Sequence, residues 1–229
     1  MKIALLFCSM LVASTAFGSS CSSGSLQSYI NLGPAGCDLG SISLSNFALA
    51  TGQNGATEVN PSQVLVTPGG SLSSPTLQFT LSTTVNANNF LESFFRLQAS
   101  APMLVGDTLI LNSPATSGDG VDTAIEYICP GASFGANSPV GCSNQTSLLT
   151  FANASSSQLS DFKSFAPTGF FDTFVDLTAD GGLTGSATFS SAAIQFTAVP
   201  EPAPVLLPIA GLAMIAVGYR RRIGKSKLT

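Results

Sequence analysis

Histidine is absent from all 229 residues. That removes the commonest general base, the usual catalytic triads and most transition-metal sites. What remains for chemistry is a set of carboxylates: Glu92, Asp107, Glu126, Asp172 and Asp176. Two carboxylates flanking a sugar bond are enough to hydrolyse it, one as acid and one as base or nucleophile. Clefts of that kind usually carry aromatic platforms, and this chain has no Trp and three Tyr. Any β-sandwich this rich in acid will bring some pair together. The carboxylates therefore do not predict catalysis.

Three short motifs invite a chemical reading and fail on their partners. Gly131-Ala132-Ser133-Phe134-Gly135 fits a nucleophile elbow. An elbow needs a helix after it and a His to take the proton; here Asn137-Ser138-Pro139 follows, and there is no His. A Gly/Ser loop is expected instead. Ser160-Asp161-Phe162-Lys163 fits Ser-x-x-Lys, but no Ser-Asp-Asn or Lys-Thr-Gly accompanies it. Asp161 and Lys163 are expected as a solvated pair on a loop or strand. Ser117-Gly118-Asp119-Gly120-Val121-Asp122 could offer oxygens to calcium. It lacks the remaining acidic positions of an EF-hand loop, so an Asp-Gly turn is expected. Asn144-Gln145-Thr146 and Asn153-Ala154-Ser155 match the glycosylation pattern incidentally. No cofactor and no metal site is expected.

The elements that must position these residues read as strands. Short β-rich runs are punctuated by Gly, Pro, Asn and Ser, with no clear amphipathic helix and no repeat. The runs are Ile42–Phe47, Gln63–Thr67, Thr76–Thr83, Phe94–Gln98, Met103–Leu111, Val121–Cys129, Ser147–Ala152, Phe170–Thr178 and Ala187–Phe196. Thr76–Thr83 alternates cleanly, so one face should be buried. Val121–Cys129 alternates Val, Thr, Ile and Tyr with polar partners. One helical turn is expected near Leu91-Glu92-Ser93, and turns at Ser155–Ser157 and Asp180–Gly182. About nine or ten strands at this spacing predict an all-β body, a β-sandwich or jelly roll. Sixteen Phe are expected to fill its core.

The ends of the chain have a different character. Lys2, the apolar Ile3–Val12 and Ala16-Phe17-Gly18 read as a signal peptide over residues 1–18. A lipoprotein reading would put Cys21 at the mature N-terminus, but Gly18 stands where a large aliphatic residue is expected. Near the other end, Val199-Pro200-Glu201-Pro202 precedes an apolar run from Ala203 to Tyr219, then Arg220-Arg221-Arg222. As a helix the run covers roughly 25 Å, somewhat short of the hydrocarbon core, and Pro208 and Gly211 weaken it. The basic cluster predicts a cytoplasmic end, with everything before Pro200 outside.

Without its ends, the body at 19–198 keeps two basic residues, Arg96 and Lys163, against eleven acidic ones, for a net of about −9. Such a surface repels nucleic acid and anionic lipid. Four cysteines remain in it: Cys21, Cys37, Cys129 and Cys142. An even number in an exported chain reads as two disulfides, and three connectivities are possible. Local pairing, Cys21–Cys37 and Cys129–Cys142, is favoured because each closes a short Gly/Ser/Pro-rich loop. A four-cysteine zinc site is disfavoured, since no Cys-x₂₋₄-Cys pair occurs.

Val-Pro-Glu-Pro, a short Gly/Ala/Leu-rich helix and an Arg cluster, in that order, resemble the PEP-CTERM sorting signal of Gram-negative bacteria. The resemblance covers Val199 to about Arg222. It implies Pro200, Glu201 and Pro202 as the recognition motif, Arg220 to Arg222 as the stop, and a membrane-embedded exosortase as the processing partner. The expected division is signal peptide 1–18, secreted domain 19–198, sorting signal 199–224 with a transmembrane helix at 203–219, and cytoplasmic tail 225–229. Cys21…Tyr29-Ile30…Gly36-Cys37, Asn46-Phe47 and the second cysteine loop are also similar to a set of uncharacterised PEP-CTERM proteins. That likeness implies architecture and no activity.

Together these features describe an exported, non-catalytic protein of the cell envelope or extracellular matrix. It would be delivered by the secretion machinery and associated, by the family resemblance, with exopolysaccharide or biofilm. A carbohydrate- or calcium-binding β-sandwich module and a secreted hydrolase using carboxylates are the alternatives.

Overall fold

The computed structural model describes residues 19–199 apart from 53–55, 72–73 and 136–137. The predicted signal peptide, Pro200-Glu201-Pro202, the apolar segment 203–219, Arg220–Arg222 and the tail 225–229 lie outside the described residues. No helix among the described residues is long and apolar enough to cross a membrane.

The body is all-β and almost wholly antiparallel. Its strands are β1 Gly24–Ser25, β2 Cys37–Leu39, β3 Ile42–Leu49, β4 Thr57–Glu58, β5 Leu65–Ser71, β6 Ser74–Asn86, β7 Phe90–Asn112, β8 Ala115–Ser117, β9 Val121–Pro130, β10 Thr146–Asn153, β11 Ser157–Gln158, β12 Ser160–Asp180 and β13 Ser186–Ala198. The main path runs β1-β5-β6-β13-β7-β12-β9-β10-β11. Strands β3, β4 and β8 join at the sides, and β4 runs parallel to β7.

Two long strands build the rest. β7 and β12 pair with each other from Asp180↔Phe90 to Ser160↔Ile110. The first half of β7 also carries β3, and its second half carries β13. The second half of β12 carries β9, beginning at Phe171. Each strand therefore serves a different set of neighbours at its two ends, and the network is β-sandwich-like. A register irregularity in β12 between Ser164 and Phe170 marks the change, as bulges do where a sheet must bend.

The expected strands are present with four corrections. The run expected at Gln63–Thr67 becomes strand only at Leu65 and continues through Pro68-Gly69-Gly70 to Ser71, because β6 pairs with it there. Phe94–Gln98 and Met103–Leu111 are one continuous strand, because Ser100 and Ala101 between them stay within the sheet. The helical turn expected at Leu91-Glu92-Ser93 is strand: β4 and β12 hold it extended from both sides. The one α-helix among the described residues is Leu26–Ile30, where the Ser28 amide donates to the Ser25 hydroxyl at 3.2 Å and Leu26 and Tyr29 are buried. The turns near Ser155–Ser157 and Asp180–Gly182 lie where the sequence places them.

Phe fills the core as expected. Phe79, Phe95, Phe171, Phe174, Phe189 and Phe196 are fully buried. Phe79 of β6 meets Phe95 of β7 at 4.7 Å between ring centres, and Phe171 meets Phe196 at 6.0 Å. In β6 the clean alternation buries Leu77 and Phe79.

Both local disulfides are formed, Cys21–Cys37 and Cys129–Cys142. The first ties the N-terminal helix segment to β2; the second closes the loop after β9. Loops of this length each contribute about 3 kcal/mol by restricting the unfolded chain. Replacing Cys129 and Cys142 by Ala is expected to lower the unfolding free energy by about 3 kcal/mol in denaturant titration. A loss under ~0.5 kcal/mol would show that the loop is held by its other contacts.

Candidate functional site

Strand pairing brings the carboxylates into three groups. β12 alternates: Phe171, Thr173, Val175 and Leu177 face the main core, and Asp172, Phe174 and Asp176 face the other side. Cross-strand register then sets Asp172 and Asp176 near Arg96 and Glu92 of β7, on the face that carries Phe94 and Phe174.

The first group is an ion pair. Arg96 Nη2 donates to Asp172 Oδ2 at 2.8 Å, and the Phe134 amide donates to the same oxygen at 2.9 Å. The guanidinium also lies 5.6 Å from the centre of the Phe174 ring. Phe134, from the elbow-like sequence Gly131–Gly135, packs on Phe174 at 5.2 Å. That stretch is the expected disulfide-closed loop, and its task here is to hand one amide to Asp172. Burial still pushes the Asp172 carboxyl up, with the Phe134 amide and Arg96 pulling against it.

The second group is Glu92 with Asp176. Glu92 is 3% exposed, and its charge acts on the Asp176 carboxyl. Burial first, then the Glu92 charge, push Asp176 up to about 7. Tyr127 is raised by burial and by the Asp176 charge. A cavity of about 270 Å³ opens beside Glu92, lined by Glu58, Asn60, Glu92 and Phe94 among others.

The third group lies inside the body. Asp107 on the second half of β7 and Glu126 on β9 are both wholly buried and near enough for the Glu126 charge to act on Asp107, while Asp107 Oδ2 and Glu126 Oε2 have no hydrogen-bond partner. Thr108 N donates to Asp107 Oδ1 at 2.7 Å, and Thr173 Oγ1 donates to Glu126 Oε1 at 2.9 Å. Burial and the Glu126 charge push Asp107 well above the carboxylate range. Burial carries Glu126 to about 7 against the pull of Thr173 and Asp107. Asp122, also buried, rises to about 6 for the same reason, opposed by the Ala115 amide.

Asp107 and Glu126 are sealed inside the body. Like charges brought together in a buried site oppose each other's ionisation, and in both pairs the charge of one carboxyl raises the other, Glu126 acting on Asp107 and Glu92 on Asp176.

The remaining motifs have structural occupations. Asp119 accepts from Leu183 N and Thr184 N, each at 2.9 Å, and so latches the β8–β9 turn to the β12–β13 turn. These bonds lower its carboxyl. Asp122 of the same stretch is buried, so the two do not converge on a cation. Among the described residues no three His, Cys, Asp or Glu are arranged to hold a metal. Ser160 and Lys163 lie on a strand, where residues three apart point to opposite faces. Asn153 Oδ1 accepts from Ser155 N and Ser156 N at 2.8 Å, capping the turn after β10.

One facing differs from the alternation read in the sequence. Along β9 it is Asp122, Ala124, Glu126 and Ile128 that enter the core, while Val121, Thr123, Ile125 and Tyr127 are half-buried. The Cys129 disulfide and the β12 register fix this choice. The buried carboxyls are its consequence. The signal available in the sequence was Ala124 and Ile128 sharing a period-2 face with Glu126.

No family model matches the chain, and neither does any curated protein. Two solved structures overlap it loosely. One is TmCBM61 in complex with β-1,4-galactotriose, at 12% identity and a TM-score of 0.24, covering 67% of this chain and 81% of that one. The other is endoglucanase 3 of Trichoderma harzianum, from family GH12, at 12% identity and a TM-score of 0.27, covering 70% and 92%. Overlaps this loose carry no functional inference.

The raised carboxyls predict an unusual pH dependence. Unfolded, each ionises at about 4. Folded, Asp122 holds its proton to about 6 and Glu126 and Asp176 to about 7, and Asp107 is raised well above its ordinary range. Between those limits the native state binds more protons, so stability falls as pH rises from about 4 to about 7 and then levels. The melting temperature is expected to be higher at about pH 5 than at about pH 8. Glu126→Gln, whose amide can donate to Asp107 without a titrating proton, should narrow that difference. A melting temperature that climbs over the same pH interval would contradict the assignment.

Proposed function

We propose that this chain is an exported, non-catalytic protein of the bacterial envelope or extracellular matrix. On this reading the secretion machinery delivers it through the 1–18 segment. An exosortase-type enzyme then recognises Pro200-Glu201-Pro202 and processes the tail, with 203–219 spanning the membrane and Arg220–Arg222 stopping transfer. Association with exopolysaccharide or biofilm follows from the same family resemblance.

The observation that carries the reading is the character of the body between those two ends. Two disulfides close its short loops, which fits an oxidising compartment outside the cytoplasm. Of the carboxylates that could act on a sugar, Asp172 is engaged with Arg96 and the Phe134 amide, and Asp107 and Glu126 are wholly buried on Thr108 and Thr173. A scaffold role needs only such a body. No cofactor enters the proposal, and the nearly cation-free surface disfavours nucleic acid as a partner.

Intact-mass and C-terminal peptide analysis of chain recovered from host envelope and culture fluid tests it. The expected mature chain lacks Arg220–Thr229, and a variant with Pro200, Glu201 and Pro202 all changed to Ala should keep the tail. Wild-type chain that retains Arg220–Thr229, or a variant processed equally well, would overturn the reading.

A further inference from the structure

The exposed cation of the body stands opposite a buried acid. In the pairing of β12 with β7, Lys163 is the direct partner of Asp107. Directly opposed residues on antiparallel strands share a face, with Cβ atoms about 4.5–5.5 Å apart. Lys163 therefore starts on the inward side of β12, at the rim of the interior, where it is exposed. Asp107 lies wholly inside, with Phe196 of β13 as its partner on the other flank. Arg96 is committed to Asp172, and Lys163 forms no ion pair among the described residues.

The groups needed to join these side chains are in place. An amine and a carboxylic acid condense to an amide when the amine is neutral, the acid keeps its proton and a base relays protons between them. Water opposes each condition. A dry site favours them, because burial disfavours both the ammonium and the carboxylate. The Thr108 amide donates to Asp107 Oδ1 at 2.7 Å, so it polarises the Cγ carbonyl and meets the oxyanion charge that develops there. Asp107 Oδ2 has no hydrogen-bond partner and is the oxygen free to leave. Glu126, near enough for its charge to act on Asp107, is held by the Thr173 hydroxyl through Oε1 at 2.9 Å. Its Oε2 has no hydrogen-bond partner and is left for proton transfer.

We propose that Lys163 and Asp107 condense to an intramolecular isopeptide bond, with Glu126 as the proton relay. The Lys163 ammonium turns inward and gives a proton to the Glu126 carboxylate. Neutral Nζ attacks Cγ of the Asp107 acid and forms the C–N bond. The Cγ–Oδ2 bond then breaks, and Oδ2 leaves as water with its own proton and the one relayed by Glu126. The second proton shed by Nζ stays on Glu126, which ends as the acid. The balance needs no oxidant and no cofactor. Holding amine and acid on adjacent strands replaces a bimolecular encounter with an intramolecular one, a large advantage in rate. The described structure is the open form, and the carboxyl titration of Asp107 belongs to that form. The bond ties β12 to β7 covalently, beside the register irregularity that begins at Ser164. The proposal stands whether or not the tail is processed.

Peptide mapping of the full chain recovered from its host tests this directly. After reduction, denaturation and chymotryptic digestion, the peptides holding Asp107 and Lys163 are expected as one branched species, lighter than their sum by one water. Trypsin should cut that chain after Arg96 and fail to cut it after Lys163. Asp107→Ala and Lys163→Arg should each abolish the link, and Lys163→Arg changes an exposed side chain that the fold does not need. Glu126→Gln should lower the linked fraction severalfold in chain that keeps its native disulfides. Separate recovery of both peptides in full yield from folded wild-type chain, a bond from Lys163 to a residue other than Asp107, or an undiminished link in Glu126→Gln would each overturn the proposal.

Discussion

The pairing of β7 with β12 is the constraint on which this molecule depends. The two strands run side by side from Asp180↔Phe90 to Ser160↔Ile110, and most other strands attach to one of them or to a strand that does. Their alternation distributes the large side chains. Phe95, Leu97, Phe171, Val175 and Leu177 go to the main core, while Phe94 and Phe174 go to a smaller cluster beneath the Cys129 loop. The same register places Arg96 within reach of Asp172 and Glu92 within reach of Asp176. Packing and electrostatics are therefore two results of one alignment.

That alignment has a cost in buried acid. Burying an ionised carboxylate without a partner costs several kcal/mol, and the body has two cations to offer. Arg96 serves Asp172; Lys163 is exposed. The remaining inward carboxyls are accommodated by protonation and by hydrogen bonds from Thr173 and Thr108. Asp107 of β7 and Glu126 of β9 come close although their strands are not neighbours in the sheet, and the charge of Glu126 adds to burial in keeping Asp107 protonated. Both lie wholly inside the body.

Much of the architecture was legible from local signals. Thr76–Thr83 announced its buried face through strict alternation, and the two cysteine pairs followed from the shortness of the loops they close. Other features depended on distant partners. Leu91-Glu92-Ser93 has ordinary local preferences, and only β4 and β12 make it strand. The join between Phe94–Gln98 and Met103–Leu111 was masked by Ser100-Ala101-Pro102, which reads as a break, yet Ser100 is paired on both sides and the chain stays extended through to Leu104. The five carboxylates were identifiable as candidates. Their pairing was not, because whether Glu126 or Tyr127 faces inward is set by β9's register on β12 and has no local signature.

The central claim is that the inward carboxyls keep their protons in the folded protein well above the ordinary carboxylate range. Carbon-13 titration of the side-chain carboxyls in the folded, oxidised protein tests it most directly. Asp107 and Glu126 are expected to titrate as a linked pair, with a proton retained to about pH 7 or above. If both ionise at about pH 4, as free carboxyls do, burial does not hold their protons and the claim fails.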